Sequence, residues 1–308
     1  MSVSLAATRS RPSRFLEVAS LGRFAHLRFV ARQRIEGFYS GRHRSRQRGG
    51  SAEFVDYREY APGEDIRRVD WKVLGRTGRS YVRLYQDETN LRCTLMIDAS
   101  GSMLFAGHHR GQLGSKLQYV QYLCSALTYL IGVQRDQVGV AIAAAGLVEL
   151  LPAAGTATHI QRCQQMIESI APASTTNLPL ALRQTFDRLS QRGVLMVMSD
   201  FLVDNLDELY SVLRLFRHRR SEVVIMHIVH PDEERLPQGR AYQFEGMENE
   251  GRVDCSPSQV RDAYEKAFTA HVEAVRRIVR SAGCDYRYVS TATPYLQTLM
   301  GFLVERQG

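Results

Sequence analysis

Three stretches of this sequence carry side chains that could do chemistry together. Asp98, Ser100 and Ser102 alternate through "MIDASGSM" (96–103), "ASTTNL" (173–178) offers hydroxyls, and Asp200 follows "VLMVMS". The donor set is entirely oxygen. Hard divalent cations suit it, Mg²⁺ first with Mn²⁺ or Ca²⁺ as substitutes, whereas zinc wants His or Cys. Two carboxylates and neutral hydroxyls leave such an ion under-neutralised and short of an octahedron. An Asp or Glu from a protein partner would complete it, so the set reads as a docking point. The competing reading of Asp98-x-Ser100-x-Ser102 is a polar turn that caps the next helix.

Elements of the right kind flank these residues. "LRCTLMID", "GVLMVMSD" and "SEVVIMHIV" are apolar runs of strand length, and "QVGVAIAAAG" with "LVELLPA" reads as a strand pair. Helical periodicity occupies "SKLQYVQYLCSALTYLIGVQ", "THIQRCQQMIESI", "LPLALRQTFDRLSQR", "NLDELYSVLRLFRHRR" and roughly 257–282. The acidic connection 231–255 holds a short strand at "AYQFE"; "CDYRYVS" is a strand, and a closing helix begins near 294. Alternating strands and helices predict an α/β fold, a mostly parallel sheet with helices on both faces. Ligands of such sheets gather beyond the carboxyl ends of the strands, where Asp98 and Asp200 fall.

Upstream of residue 91 the texture differs. Residues 1–50 hold eleven of the 40 basic residues, all arginine, and only two of the 32 acidic ones, Glu17 and Glu36. Apolar residues Leu21, Phe24, Leu27, Ala31, Ile35 and Phe38 recur at helical spacing, so the spacing predicts an amphipathic helix there. Residues 1–48 therefore read as a basic arm with one helix. Its arginines suit an acidic protein, a membrane surface or nucleic acid. Residues 49–90 read as a small β-rich appendage, with "APGED" and "GRTGRS" as turns and Trp71, the only tryptophan, as its packing anchor. Residues 91–308 form the main domain.

No apolar stretch approaches the length of a bilayer span. The five cysteines are scattered without CxxC spacing, which fits reduced thiols and a cytoplasmic setting, free or peripheral at the inner face of the membrane.

Two resemblances sharpen this reading. Asp98-x-Ser100-x-Ser102, the Thr of "TTN" and Asp200 resemble the metal-ion-dependent adhesion site of von Willebrand factor A domains. In that family two serines and a threonine contact the ion, and two aspartates bind directly or through water. The resemblance implies Ser100, Ser102, Thr176, Asp98 and Asp200 as the metal set and a von Willebrand factor A-like (Rossmann-like) fold. Thr176 matches the threonine that precedes the family's Asn; Thr175 stays open as an alternative. "GRHRSRQRGGSAEFVDYREYAPGEDIRRVDWK", with "YRYV" before the closing helix, is similar to the bacterial domain of unknown function 58 family. That resemblance implies an adaptor associated with a MoxR-type AAA+ ATPase.

Catalysis finds little support. A phosphatase of the haloacid dehalogenase type wants a second acid two residues after Asp98, where Ser100 stands, and no G-x-S-x-G elbow exists for a serine hydrolase. His108 and His109 read as loop residues. "GQLGSK" fails the phosphate-loop pattern because Ser115 separates Gly114 from Lys116, so nucleotide is expected on the partner and not on this chain.

Overall fold

The computed structural model describes residues 13–22, 27–31, 52–61, 66, 69–87, 91–107, 114–173, 175–189, 192–236, 242–248 and 251–307. The chain divides into two compact units, one of residues 1–32 with 91–308 and the other of residues 33–90. Elements in chain order begin with α1 (Val18–Leu21), then β1 (Ala52–Glu59), α2 (Trp71–Thr77) and β2 (Tyr81–Asp87). They continue with β3 (Arg92–Asp98), α3 (Lys116–Val133), β4 (Gln137–Ala143), β5 (Leu147–Ala154), α4 (Ala157–Glu168), α5 (Leu178–Arg188) and β6 (Val194–Ser199). The last are α6 (Leu206–His218), β7 (Glu222–Val229), α7 (Pro231–Glu234), β8 (Tyr242–Glu245), β9 (Arg252–Cys255), α8 (Pro257–Ser281), β10 (Asp285–Ser290) and α9 (Tyr295–Gln307).

The larger unit is built on a six-stranded sheet of order β10-β7-β6-β3-β4-β5. Every neighbouring pair is parallel except β4–β5. The α/β class expected from the sequence is thus observed. Strand residues alternate between two cores, as a period of two requires when both faces are covered. Leu95, Ile97, Met196 and Met226 face α3, α4 and α9; Met96, Leu195, Val197 and Ile225 face α5, α6 and α8. Each such buried side chain contributes about 1.5–3 kcal/mol relative to exposure. This burial is why β3, β6 and β7 read as unbroken apolar runs.

The connection from β3 through α3 runs to β4 on one side, while the later return to β6 lies on the other side of β3. The strand order therefore reverses between β3 and β6, and their carboxyl ends open the crevice where such folds bind ligands. Asp98 ends β3, and Asp200 directly follows β6.

Three expectations for the N-terminal segments are corrected. The helix predicted across 21–38 does not form over residues 27–31, which run without helix; among the described residues of this segment α-helix is confined to α1, and residues 23–26 and 32–51 lie outside the described residues. Leu27 and Phe29 are buried while Arg28 and Val30 are exposed, a period-two pattern whose Phe29 lies off the predicted helical stripe. Tertiary bonds decide against the helix. The Gln134 amide donates to Leu27 O at 2.9 Å and accepts from Phe29 N–H at 3.1 Å, and Arg306 donates to Val30 O at 2.9 Å.

In the smaller unit β1 and β2 pair antiparallel, with an irregularity between Phe54 and Asp56. Part of "GRTGRS" is helix, not turn. Asp70 caps α2 by accepting from the Lys72 and Val73 amides, and Gly78, at φ 68, closes it in the left-handed conformation. Trp71 occupies the first helical position with 61% of its surface exposed, so it is no packing anchor; Val69 and Val82 are buried instead and bridge across strands. Pro62 to Asp65 and Arg67–Arg68 of the upstream signature lie outside the described residues, as do His108 and His109.

Candidate metal centre

The site begins where β3 runs out. Asp98 Oδ1 accepts from the Ser100 backbone N–H at 2.9 Å, and Oδ2 accepts from the Ser199 hydroxyl at 2.5 Å. Both donors are neutral. They fix the carboxylate's orientation without neutralising it, and each oxygen keeps a lone pair for a further partner. The chain then turns through a single 3-10 turn, Gly101–Leu104, which presents Ser100 and Ser102 with their hydroxyls 3.1 Å apart. Burial, with the nearby Asp200 charge, pushes the Asp98 carboxyl up to about 6.

Asp200 lies in a different electrostatic setting. Burial pushes its carboxyl up, but the Lys116 ammonium and hydrogen bonds from Lys116, Ser102 and the Leu202 amide hold it below the ordinary carboxylate range. Lys116 Nζ donates to Asp200 Oδ2 at 2.7 Å and also to Glu233 Oε1, with the lysine fully buried. Directly after Asp200 the backbone turns left-handed at the buried Phe201, φ 52, a conformation costing a non-glycine residue about 1–2 kcal/mol. The Phe201 N–H donates to Ser199 Oγ at 2.9 Å and its carbonyl accepts from His271 at 3.0 Å, which hold the turn. His227, beside Ser199 on β7, accepts or donates at the Tyr286 hydroxyl, 2.9 Å away, and burial lowers its pKa to about 4.

The third segment is tied to the ends of β3 and β4. Ala173 N–H donates to Ala99 O at 2.8 Å and Asn177 N–H to Ala144 O at 2.7 Å, while the Asn177 side chain caps α5. Thr176 and Thr175 then differ sharply. The Thr176 hydroxyl oxygen is buried and has no hydrogen-bond partner, whereas Thr175 is exposed. A buried hydroxyl without a partner costs about 1–3 kcal/mol, so Thr176 has a use for an additional partner that Thr175 lacks.

Asp98, Ser100, Ser102 and Asp200 are thus joined in one cluster, and Thr176 is held on the loop beside them. These residues fit a hard cation: oxygen donors, an orphaned hydroxyl, and an Asp98 carboxylate disfavoured by burial and by the nearby Asp200 charge. Among the described residues no three His, Cys, Asp or Glu side chains form a metal cluster, so the oxygen donors gathered here are two carboxylates and hydroxyls. Sequence reasoning missed Ser199, Lys116, Glu233 and Glu248. A signal for Lys116 was present, since a lysine in the first turn of a helix opposes the helix dipole and needs a reason.

The mouth of the site is bordered by β8 and β9, a separate antiparallel pair closed by Gly246 N–H to Gly251 O at 2.8 Å. Its turn reaches the serine segment. Glu248 Oε1 accepts from Ser102 N–H at 3.2 Å, and a Cβ on Gly101 would stand 2.3 Å from Met247 O. Among the described residues no helix is long and apolar enough to cross a membrane.

Comparison with known proteins bears on the fold and the family. Uncharacterized proteins of Mycobacterium bovis and Mycobacterium tuberculosis are each 25% identical to the chain over 290 residues, covering 91% of it and 88% of their own length. An aerotolerance-related membrane protein from Bacteroides fragilis shares the fold at TM-score 0.50 and 16% identity, over 70% of this chain and 98% of that one. The SpRpn10 VWA domain is similar at TM-score 0.39 and 11% identity, over 70% of this chain and 95% of its own. The sequence family is matched over residues 56–274, most of both units, and the chain belongs to the family described as "Protein of unknown function DUF58".

Proposed function

We propose that this protein is a non-catalytic interaction module that docks a partner through a divalent cation, Mg²⁺ in the first instance. Asp98, Ser100, Ser102, Thr176 and Asp200 would hold the ion, and an Asp or Glu of the partner would complete its coordination. One observation carries this reading: two buried carboxylates end adjacent strands at the topological switch point, beside a buried Thr176 hydroxyl that has no partner. When bound, the ion supplies Lewis-acidic attraction for an acidic side chain. The chain's own residues orient Asp98 through Ser199, keep the serines on a tight turn and exclude water beneath them.

The family resemblance supports a MoxR-type AAA+ ATPase as the partner, with nucleotide bound there. All five cysteines are free, which supports a reducing compartment. The test is capture of partners from native cells with wild-type and Asp98→Ala protein, in Mg²⁺ and in EDTA. The reading expects an ATPase retained by wild-type protein in Mg²⁺ and lost under the other conditions. Capture indifferent to EDTA and to the substitution would sink it.

A further inference from the structure

Lys116 is an unusual residue to find at the start of α3. Its side chain is fully buried, and the helix N-terminus repels a cation. Burying an ammonium without close carboxylates is expensive, and Lys116 has two: Asp200 Oδ2 at 2.7 Å and Glu233 Oε1. Only Asp200 belongs to the proposed ion set. Glu233 sits on α7, its Oε2 accepting from the His230 N–H at 2.8 Å and its carbonyl from the Tyr264 hydroxyl at 2.8 Å, so this second anchor is fixed independently of any ion.

The charges in this pocket do not cancel. Among the described residues, Asp200 and Glu233 bring two carboxyl groups onto the Lys116 ammonium, and Asp98, which feels the Asp200 charge, adds a third beside them. Asp98 receives its hydrogen bonds from the neutral groups Ser100 and Ser199. A divalent ion would therefore meet a demand for positive charge at Asp98, and a competing positive charge already seated on Asp200.

We propose that Lys116 is a tethered counter-cation of the metal centre, neutralising Asp200 while the site is empty and keeping Glu233 as its anchor when an ion takes Asp200. This inference rests on the cation-docking reading above. Its consequence is a site that stays folded without metal and whose cation affinity is held down by repulsion from the ammonium. Lys116 and Glu233 should then act on affinity with opposite signs. Removing the ammonium strengthens cation binding. Removing the Glu233 charge weakens it, because the ammonium is left to Asp200 alone and the pocket loses a negative charge.

The experiment is calorimetric titration of Mn²⁺ into the full chain as wild type, Lys116→Met and Glu233→Gln, each checked for folding by circular dichroism. Lys116→Met is expected to bind Mn²⁺ on the order of tenfold more tightly, and Glu233→Gln on the order of tenfold more weakly. Melting in EDTA should also show Lys116→Met less stable than wild type, with the gap narrowed by Mn²⁺. Equal or weaker binding by Lys116→Met overturns the inference and leaves the docking reading standing. If Lys116→Met fails to fold, Glu233→Gln binding as tightly as wild type overturns it instead. Absence of Mn²⁺ binding in all folded proteins overturns both the inference and the docking reading.

Discussion

The Ser199 hydroxyl at the end of β6 donates to Asp98 Oδ2 at the end of β3, 2.5 Å away and shielded from solvent. The same Ser199 oxygen accepts from the Phe201 N–H, so one side chain ties the two site strands together and fixes the left-handed turn after Asp200. Ser199→Ala should therefore cost about 1.5–3 kcal/mol in urea unfolding, the range for a bond to a charged group. Cation affinity should fall on the order of tenfold as Asp98 loses its orientation. Unchanged stability and affinity would show that the bond is incidental.

Thr176→Val removes a hydroxyl that has no partner, so it should leave the metal-free protein as stable as wild type or up to about 1 kcal/mol more stable. Cation binding should weaken markedly. Thr175→Val, at an exposed position, should change neither quantity. A reversal of these two results would assign the ligand to Thr175.

Gly101→Ala places a methyl group against the Met247 carbonyl, where backbone has to move. It should cost about 1–3 kcal/mol and loosen the β8–β9 turn. Glu248→Ala removes the acceptor for the Ser102 amide and should loosen the same turn with a smaller loss. Hydrogen exchange at 242–255 reads both effects, and protection equal to wild type in both variants would rule out this contact.

Burial pushes the Tyr119 hydroxyl up to about 12, only partly offset by its bond with Thr298 at 2.7 Å. The unfolded chain then loses this proton near its ordinary value of about 10 while the folded protein keeps it. Stability from Tyr119 is fully present below about pH 10 and is lost as pH rises toward 12, up to roughly 2–3 kcal/mol. Tyr119→Phe should flatten this part of the alkaline unfolding curve, which a pH series of urea midpoints measures.

Most of the sheet was legible because its central strands are buried on both faces. "CTLMI", "VLMVM" and "VVIMHIV" can be little else at that length. The oxygen cluster was legible through spacing and its position at strand ends. Less of the rest was written locally. Gly75 inside "WKVLGRT" argued against α2, although Asp70 and Gly78 supplied both caps. β9 is four residues, exposed except at Cys255, and shows no core pattern. The Lys116 pairing joins residues 84 and 117 positions apart, so only its odd place at a helix start hinted at it. The choice of Thr176 over Thr175 depends on which hydroxyl the loop buries, a property of the folded loop and not of "STTNL".

The central claim is a cation held at the end of β3. Its most direct measurement is the Mn²⁺ electron paramagnetic resonance signal titrated with wild-type and with Asp98→Ala protein. The account predicts that wild-type protein removes one equivalent of free Mn²⁺ signal, competed by Mg²⁺, and that folded Asp98→Ala removes none. No uptake by wild type, or equal uptake by Asp98→Ala, would contradict it.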